Sequence, residues 1–275
     1  MPGRATDSII APFPRITGFF HEPTSTVSYL VADPITNKAV IIDPVLDFDP
    51  AAARTSTQSA DLLLAEVEKH GLDIVFILET HIHADHLSAA HFLSSRLAAP
   101  IAVGGQTPSV QKVFEPIYQL PYPFVPDGSQ FDRLFKDGET FEIGALKVKV
   151  IATPGHTPAC VSYVIGDAVF VGDTLFMPDY GTARCDFPGG DPETLYDSIW
   201  RILSLPDETR LFLCHDYPPA GRSPSWETTV AVQKSENIHI AGRTRSEFAV
   251  LRRERDRQLS MPTLILPSIQ LNMRR

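Results

Sequence analysis

Thr80-His81-Ile82-His83-Ala84-Asp85-His86 is the stretch on which the reading of this chain turns. It crowds three imidazoles and a carboxylate into positions 81–86. Side chains of these types, packed together, must hydrogen-bond to one another or share a cation. The preceding segment, Asp73-Ile74-Val75-Phe76-Ile77-Leu78, is a short apolar run that reads as a buried strand. The following segment, Leu87-Ser88-Ala89-Ala90-His91-Phe92-Leu93, reads as a helix. The cluster is therefore expected on a strand-to-helix turn, where side chains converge.

Three further residues of ligand type repeat this arrangement. Leu146–Ala152 alternates like a strand, and His156 follows it in Thr153-Pro154-Gly155-His156-Thr157. Ala168-Val169-Phe170-Val171-Gly172 is a strand that delivers Asp173, and Leu211-Phe212-Leu213 delivers Cys214 and His215. Four strand ends thus present ligands that can meet at one sheet edge and supply one or two adjacent metal sites. The other histidines have blander readings. His70 ends the amphipathic stretch 61–69, where a helix C-terminus favours a cation. His21 and His239 have no ligand context, and His91, five positions after His86, does not share a helix face with it. Asp43, in Ile41-Ile42-Asp43-Pro44, ends a strand where a carboxylate can cap backbone N–H groups.

Composition fits one substantial domain over 1–275, with a short helical C-terminal extension from about 226. Hydrophobic residues make 43% and charged residues 21%, ordinary values for a globular chain. The net charge of −9 argues against nucleic acid as a partner, because phosphate binding needs basic patches. No apolar run reaches the length of a membrane span, and no secretory signal is evident, so a cytoplasmic location is expected. The three cysteines, Cys160, Cys185 and Cys214, form no disulfide framework and read as small buried hydrophobes, with redox activity the alternative. Prolines cluster between Pro116 and Pro126, which reads as an ordered loop excursion. Arg252-Arg253-Glu254-Arg255-Asp256-Arg257 reads as a charged helix face, solvated or in contact with another subunit.

The ligand motifs, in this order from about Thr26 to Tyr217, resemble those of the metallo-β-lactamase superfamily. The resemblance implies an αββα sandwich: two mixed β-sheets face to face, helices outside, the metal at one edge. The residues alone would give only an α/β protein with many strands.

The ligand set permits two chemistries. If all seven residues bind, two ions bridged by Asp173 hold a hydroxide that attacks a thioester or similar acyl bond. If only His81, His156 and Asp173 bind, two imidazoles and one carboxylate suit non-haem Fe(II) oxygen chemistry. His83, Asp85, His86 and His215 then orient the ligands through hydrogen bonds. The flanks favour the second. Gly181-Thr182-Ala183-Arg184-Cys185-Asp186-Phe187 resembles the corresponding region of persulfide dioxygenases, as does the chain end Leu266-Pro267 to Asn272-Met273-Arg274. Glyoxalase II hydrolases usually carry a longer C-terminal region. The segments 47–59, 121–127 and Pro178-Asp179-Tyr180 look like insertions relative to the human-like dioxygenases.

The resemblance implies that one Fe(II) per chain, held by His81, His156 and Asp173, serves the oxidation of glutathione persulfide by O2 to sulfite and glutathione. It also implies that Arg184 and Tyr217 contact the substrate, and that the protein is a homodimer. A zinc-dependent thioester hydrolase of the glyoxalase II type is the alternative. A non-catalytic metal-binding protein ranks last, because no ligand position is missing.

Overall fold

The computed structural model describes residues 13–120 and 124–274. Up to the histidine-rich loop the elements are β1 (Arg15–His21), β2 (Thr26–Ala32), β3 (Lys38–Ile42), β4 (Val45–Asp49), β5 (Arg54–Ser56), α1 (Gln58–His70) and β6 (Asp73–Leu78). After it come β7 (Leu87–Ser88), α2 (Ala90–Leu97), β8 (Ile101–Gly104), α3 (Thr107–Tyr118), β9 (Arg133–Phe135), β10 (Thr140–Ile143), β11 (Leu146–Ala152), β12 (Val161–Ile165) and β13 (Ala168–Phe170). The last are α4 (Pro192–Leu203), β14 (Arg210–Phe212), β15 (Glu227–Thr229), α5 (Val230–Glu236), α6 (Arg245–Asp256) and α7 (Ile265–Asn272).

Two six-stranded sheets follow the orders β1-β2-β3-β6-β8-β9 and β10-β11-β12-β13-β14-β15. Both are mixed: β3, β6, β8 and β9 run parallel, as do β13 and β14, while the other neighbours are antiparallel. Strand periodicity explains the layering. In β2, Val27, Tyr29 and Val31 point between the sheets, where they meet Val148, Tyr163 and Phe170. Leu30 and Ala32 point the other way, into a layer closed by Leu63 of α1, Leu93 of α2, Val110 of α3 and Ile269 of α7. On the far side, Val169 and Leu211 pack under Ile199 of α4 and Phe248 of α6. The result is the αββα sandwich. No helix among the described residues is long and apolar enough to cross a membrane.

The strands expected at Asp73–Leu78 and Leu146–Ala152 are present with those limits. Position 87 onward differs: Leu87 and Ser88 form a short strand against β4, and the helix starts only at Ala90. The local sequence favours a helix, but pairing of Leu46 with Leu87 and of Val45 with Ser88 takes the chain past the ligand loop first. Of the proline-rich excursion, Pro116 lies inside α3, whereas Pro121 and Pro123 fall outside the described residues.

Candidate metal centre

The centre is built where strands end. His81 lies three residues past the end of β6, in the loop 79–86 that connects to β7. Asp43 leaves the neighbouring strand β3 with a left-handed backbone, φ 49°. Its buried carboxylate accepts hydrogen bonds from the Thr80 amide (2.7 Å), the Thr80 hydroxyl (2.8 Å) and His83 Nε2 (3.0 Å). The expected N–H capping by Asp43 is therefore extended to an imidazole. Glu79, which the sequence did not mark, also faces His83 Nε2, at 3.2 Å, and is held by the Ser88 hydroxyl.

The second sheet supplies the remaining groups. Gly155 and Gly172 allow this convergence. A side chain at Gly155, whose φ is 138°, would overlap the backbone of Leu195, and one at Gly172 would sit 2.6 Å from Thr80 Oγ1. His156, Asp173 and His215 each follow these strand ends, and all are buried.

Each imidazole has one nitrogen fixed by the protein. His156 donates from Nδ1 to the Arg184 carbonyl at 2.8 Å, and His215 donates from Nδ1 to the Ser25 carbonyl at 3.1 Å. His83 is held through Nε2, and His81 through Nδ1 to Thr80 Oγ1 at 3.0 Å. His86 Nδ1 lies 3.3 Å from Asp85 Oδ2. The opposite atoms have no hydrogen-bond partner although buried: Nε2 of His81, His86 and His215, Nδ1 of His83, and Oδ1 of Asp173. Buried polar atoms without partners are costly, and one or two cations shared among them would satisfy them. Separations fit this. His156 Nε2 is 3.6 Å and His81 Nε2 3.9 Å from Asp173 Oδ2, while His215 Nε2 is 3.3 Å from both Asp173 Oδ1 and Asp85 Oδ2. Two donors bound to one ion at about 2.1 Å stand roughly 3.4 Å apart in tetrahedral geometry. Donor atoms of His81, His156 and Asp173 form one group within 4.8 Å, those of His83, Asp85 and His86 a second, and those of Asp173, Cys214 and His215 a third.

The electrostatics suit cation binding at His81, His86 and Asp85. Burial, reinforced by the neighbouring His83 and His156, holds His81 well below the usual imidazole range, so it is neutral and free to ligate. Burial likewise lowers His86. Burial opposes charge on His83 too, but Asp43 and Glu79 outweigh it and raise that imidazole well above 6.5. Asp85 is held well below the carboxylate range: burial works against it, but His215 and His86 prevail. The cysteines behave as buried hydrophobes. All three are free, and burial pushes Cys160 up to about 12 and raises Cys185 and Cys214 too.

A cavity of about 730 Å³ opens onto the centre at Asp85, His156 and Asp173. Its wall includes the β4–β5 hairpin, the first segment that reads as an insertion, and Tyr180 of the third. Arg184 and Tyr217 both line it. Arg184 is already engaged: Nε and Nη2 make a two-point pair with Asp186 (2.6 and 2.7 Å), and Nη1 donates to the Ser260 carbonyl at 2.7 Å. Arg54 and Arg255 line the same cavity and make no ion pair among the described residues. Sequence reasoning missed both, since an arginine on a hairpin or charged helix carries no mark of what it faces.

The charged helix face needs correction. Arg252 is 2% and Asp256 6% exposed, and the two pair at 2.7 Å. Arg252 donates to the Thr182 carbonyl, and Asp256 accepts from the Cys185 amide at 2.9 Å. The pair is buried because it satisfies backbone groups that flank Arg184, while Arg253, Glu254, Arg255 and Arg257 stay exposed. His239 is a core residue whose Nδ1 accepts from the Thr182 amide at 3.0 Å, and His70 pairs with Glu66 at 2.7 Å. His21 lies 3.4 Å from Asp47 on the cavity wall.

Fold and site together define a class, and residues 21–215 match the metallo-beta-lactamase superfamily. The chain belongs to that superfamily. A beta-lactamase hydrolase-like protein of Xylella fastidiosa is 52% identical over 260 residues, covering 94% of this chain. This chain spans 60% of that relative's length. Glyoxylase B2 of Dictyostelium discoideum is 52% identical across 94% of this chain and 90% of its own length. The mitochondrial persulfide dioxygenase ETHE1 of Homo sapiens is 32% identical across 71% of this chain and 66% of its own length. The crystal structure of ETHE1 from Myxococcus xanthus is 31% identical, with a TM-score of 0.75, over 94% of this chain and 98% of that one.

Proposed function

We propose that the chain is an iron-dependent persulfide dioxygenase that oxidises glutathione persulfide with O2 to sulfite and glutathione. The observation that carries this reading is the likeness to ETHE1 of Myxococcus xanthus over nearly the whole of both chains. His81, His156 and Asp173 are proposed as the iron ligands, and their donor group of two imidazoles and one carboxylate supports that choice. Bound Fe(II) supplies the redox chemistry that lets O2 react with a persulfide sulfur. The two oxygen atoms of O2 and one from water end on the outer sulfur, the S–S bond breaks, and the inner sulfur leaves as the glutathione thiol.

The chain's own residues bind and orient. The Arg184 carbonyl fixes the His156 ring, so that Nε2 faces Asp173. The Arg184 guanidinium, with two N–H groups left over from Asp186 and Ser260, is assigned to a substrate carboxylate. Arg54 and Arg255 add positive charge on the same wall, which suits a tripeptide with two carboxylates. Tyr217 is assigned as a hydroxyl donor. Burial, with Asp85 and Asp173 nearby, raises its phenol well above 10, so it keeps its proton.

A zinc-dependent thioester hydrolase is the second reading. It is favoured by the relative named glyoxylase B2 at 52% identity and by the intact group of His83, Asp85 and His86 beside His215. One comparison separates the two: iron-loaded and zinc-loaded protein given glutathione persulfide or S-lactoylglutathione. O2 uptake with sulfite formation, in the iron form only, is expected. No uptake, with thioester hydrolysis by the zinc form, overturns the dioxygenase reading.

A further inference from the structure

We infer that Asn272, the last residue of α7, is a positioning residue for the metal centre, holding the ligand loop in shape from the far end of the chain. Its side-chain Nδ2 donates to the His83 carbonyl and to the His86 carbonyl, both at 2.9 Å. Its Oδ1 accepts from the Ser88 amide, also at 2.9 Å. Both N–H groups and the carbonyl of one amide are thus used on a six-residue stretch, 83–88, and the residue is 8% exposed.

The stretch needs such a partner. The ligand loop is irregular between β6 and β7, so the carbonyls of His83 and His86 lie outside any strand ladder. Buried backbone groups must nevertheless be satisfied. The two carbonyls that Asn272 holds bracket Asp85, and they belong to His83 and His86, the other members of that donor group. The amide therefore fixes the backbone from which all three side chains project.

Asn272 is itself anchored. The adjacent Met273 is fully buried, and its carbonyl accepts from Gln111 Nε2 at 3.0 Å. Gln111, on α3, is also fully buried, and its Oε1 accepts from the Gly128 amide. Ile269, one turn earlier in α7, is 3% exposed in the apolar layer. An apolar residue at 272 would dock the helix equally well but satisfy none of the three loop groups. An aspartate would set carboxylate oxygens against two carbonyls.

This inference rests on the reading of the centre as a metal site, and the test separates the two. Full-length wild type, Asn272→Asp, Asn272→Ala and Ile269→Ala are prepared metal-free. Zn2+ affinity is measured by competition with a chromophoric chelator, and the thermal midpoint is measured without metal. Groups that orient ligands typically set affinity by about 10- to 100-fold, so both Asn272 variants are expected to lose that much. Ile269→Ala, which loosens α7 but keeps the amide, is expected to lower the midpoint and leave affinity within about threefold of wild type. Unchanged affinity in Asn272→Asp, or an equal loss in Ile269→Ala, overturns the proposal and leaves α7 a merely stabilising helix. A wild type that binds no Zn2+ instead overturns the metal reading beneath it. Should the Asn272 variants fail to fold, hydrogen exchange in metal-free wild type decides. Protection of the Ser88 amide comparable to that in β6 supports the anchor, and exchange as fast as in an exposed loop overturns it.

Discussion

His156 donates its Nδ1 proton to the carbonyl of Arg184, 2.8 Å away. The same residue thus orients a candidate ligand with its backbone and faces the cavity with its side chain. The two roles are separable by mutation.

Arg184→Ala removes the guanidinium and leaves the carbonyl. Metal content should stay at the wild-type level, while KM for glutathione persulfide rises about tenfold or more, as expected for a lost charged hydrogen bond of about 1.5–3 kcal/mol. Steady-state kinetics beside metal analysis checks this. Loss of metal with KM unaltered would show that the residue supports His156 and does not bind substrate.

Metal removal should destabilise the protein. A cation held by buried acceptors binds the folded chain far better than the unfolded one, so 100 Kd of free ion is worth about 2.7 kcal/mol. Chelation should lower Tm, and Zn2+ or Fe2+ should restore it. Identical melting curves with and without chelator would count against any tightly bound ion.

Asp43→Asn should weaken both the loop and the metal site. The carboxylate receives two hydrogen bonds from Thr80 and one from His83 Nε2. We expect a stability loss of about 1–3 kcal/mol and an affinity for metal reduced by about 10- to 100-fold. Denaturant melts and chelator competition measure the two separately. An Asp43→Asn protein that binds metal as tightly as wild type would mean that His83 needs no carboxylate to orient it.

Acid should act through His239. Burial, then the nearby Arg252, Arg255 and Arg243, lowers this imidazole from 6.5 to about 3. Between those values the unfolded chain binds a proton that the folded chain refuses. Folding stability therefore falls as pH drops through 6.5, by up to about 1.4 kcal/mol per pH unit from this group. His239→Gln lacks that titration. Its stability deficit relative to wild type should shrink between pH 7 and pH 4.5, and parallel profiles would rule out a neutral His239 in the fold.

Local pattern carried much of this architecture. The strand at Asp73–Leu78 and the alternating Leu146–Ala152 are legible because their side chains repeat with the pleat, and the histidine motifs sit where those strands stop. What escaped is whatever depends on contacts that only the folded chain makes. Leu87 and Ser88 are strand because β4 pairs with them. Arg252 is buried because Asp256 and the Thr182 carbonyl meet it. Glu79 reads as one more residue at a strand end until His83 and Ser88 are seen against it. Arg54 gains interest only once its hairpin folds over the cavity that His156 and Asp173 floor.

The candidate ligands divide between the two sheets. His81, His83, Asp85 and His86 leave the first, and His156, Asp173 and His215 leave the second. An ion seated among them is a rivet through both halves of the sandwich. No half of the chain can assemble the full donor set before the other has closed on it, so metal capture reports that the two sheets have met. A probe that detects the bound ion during refolding would time that closure directly.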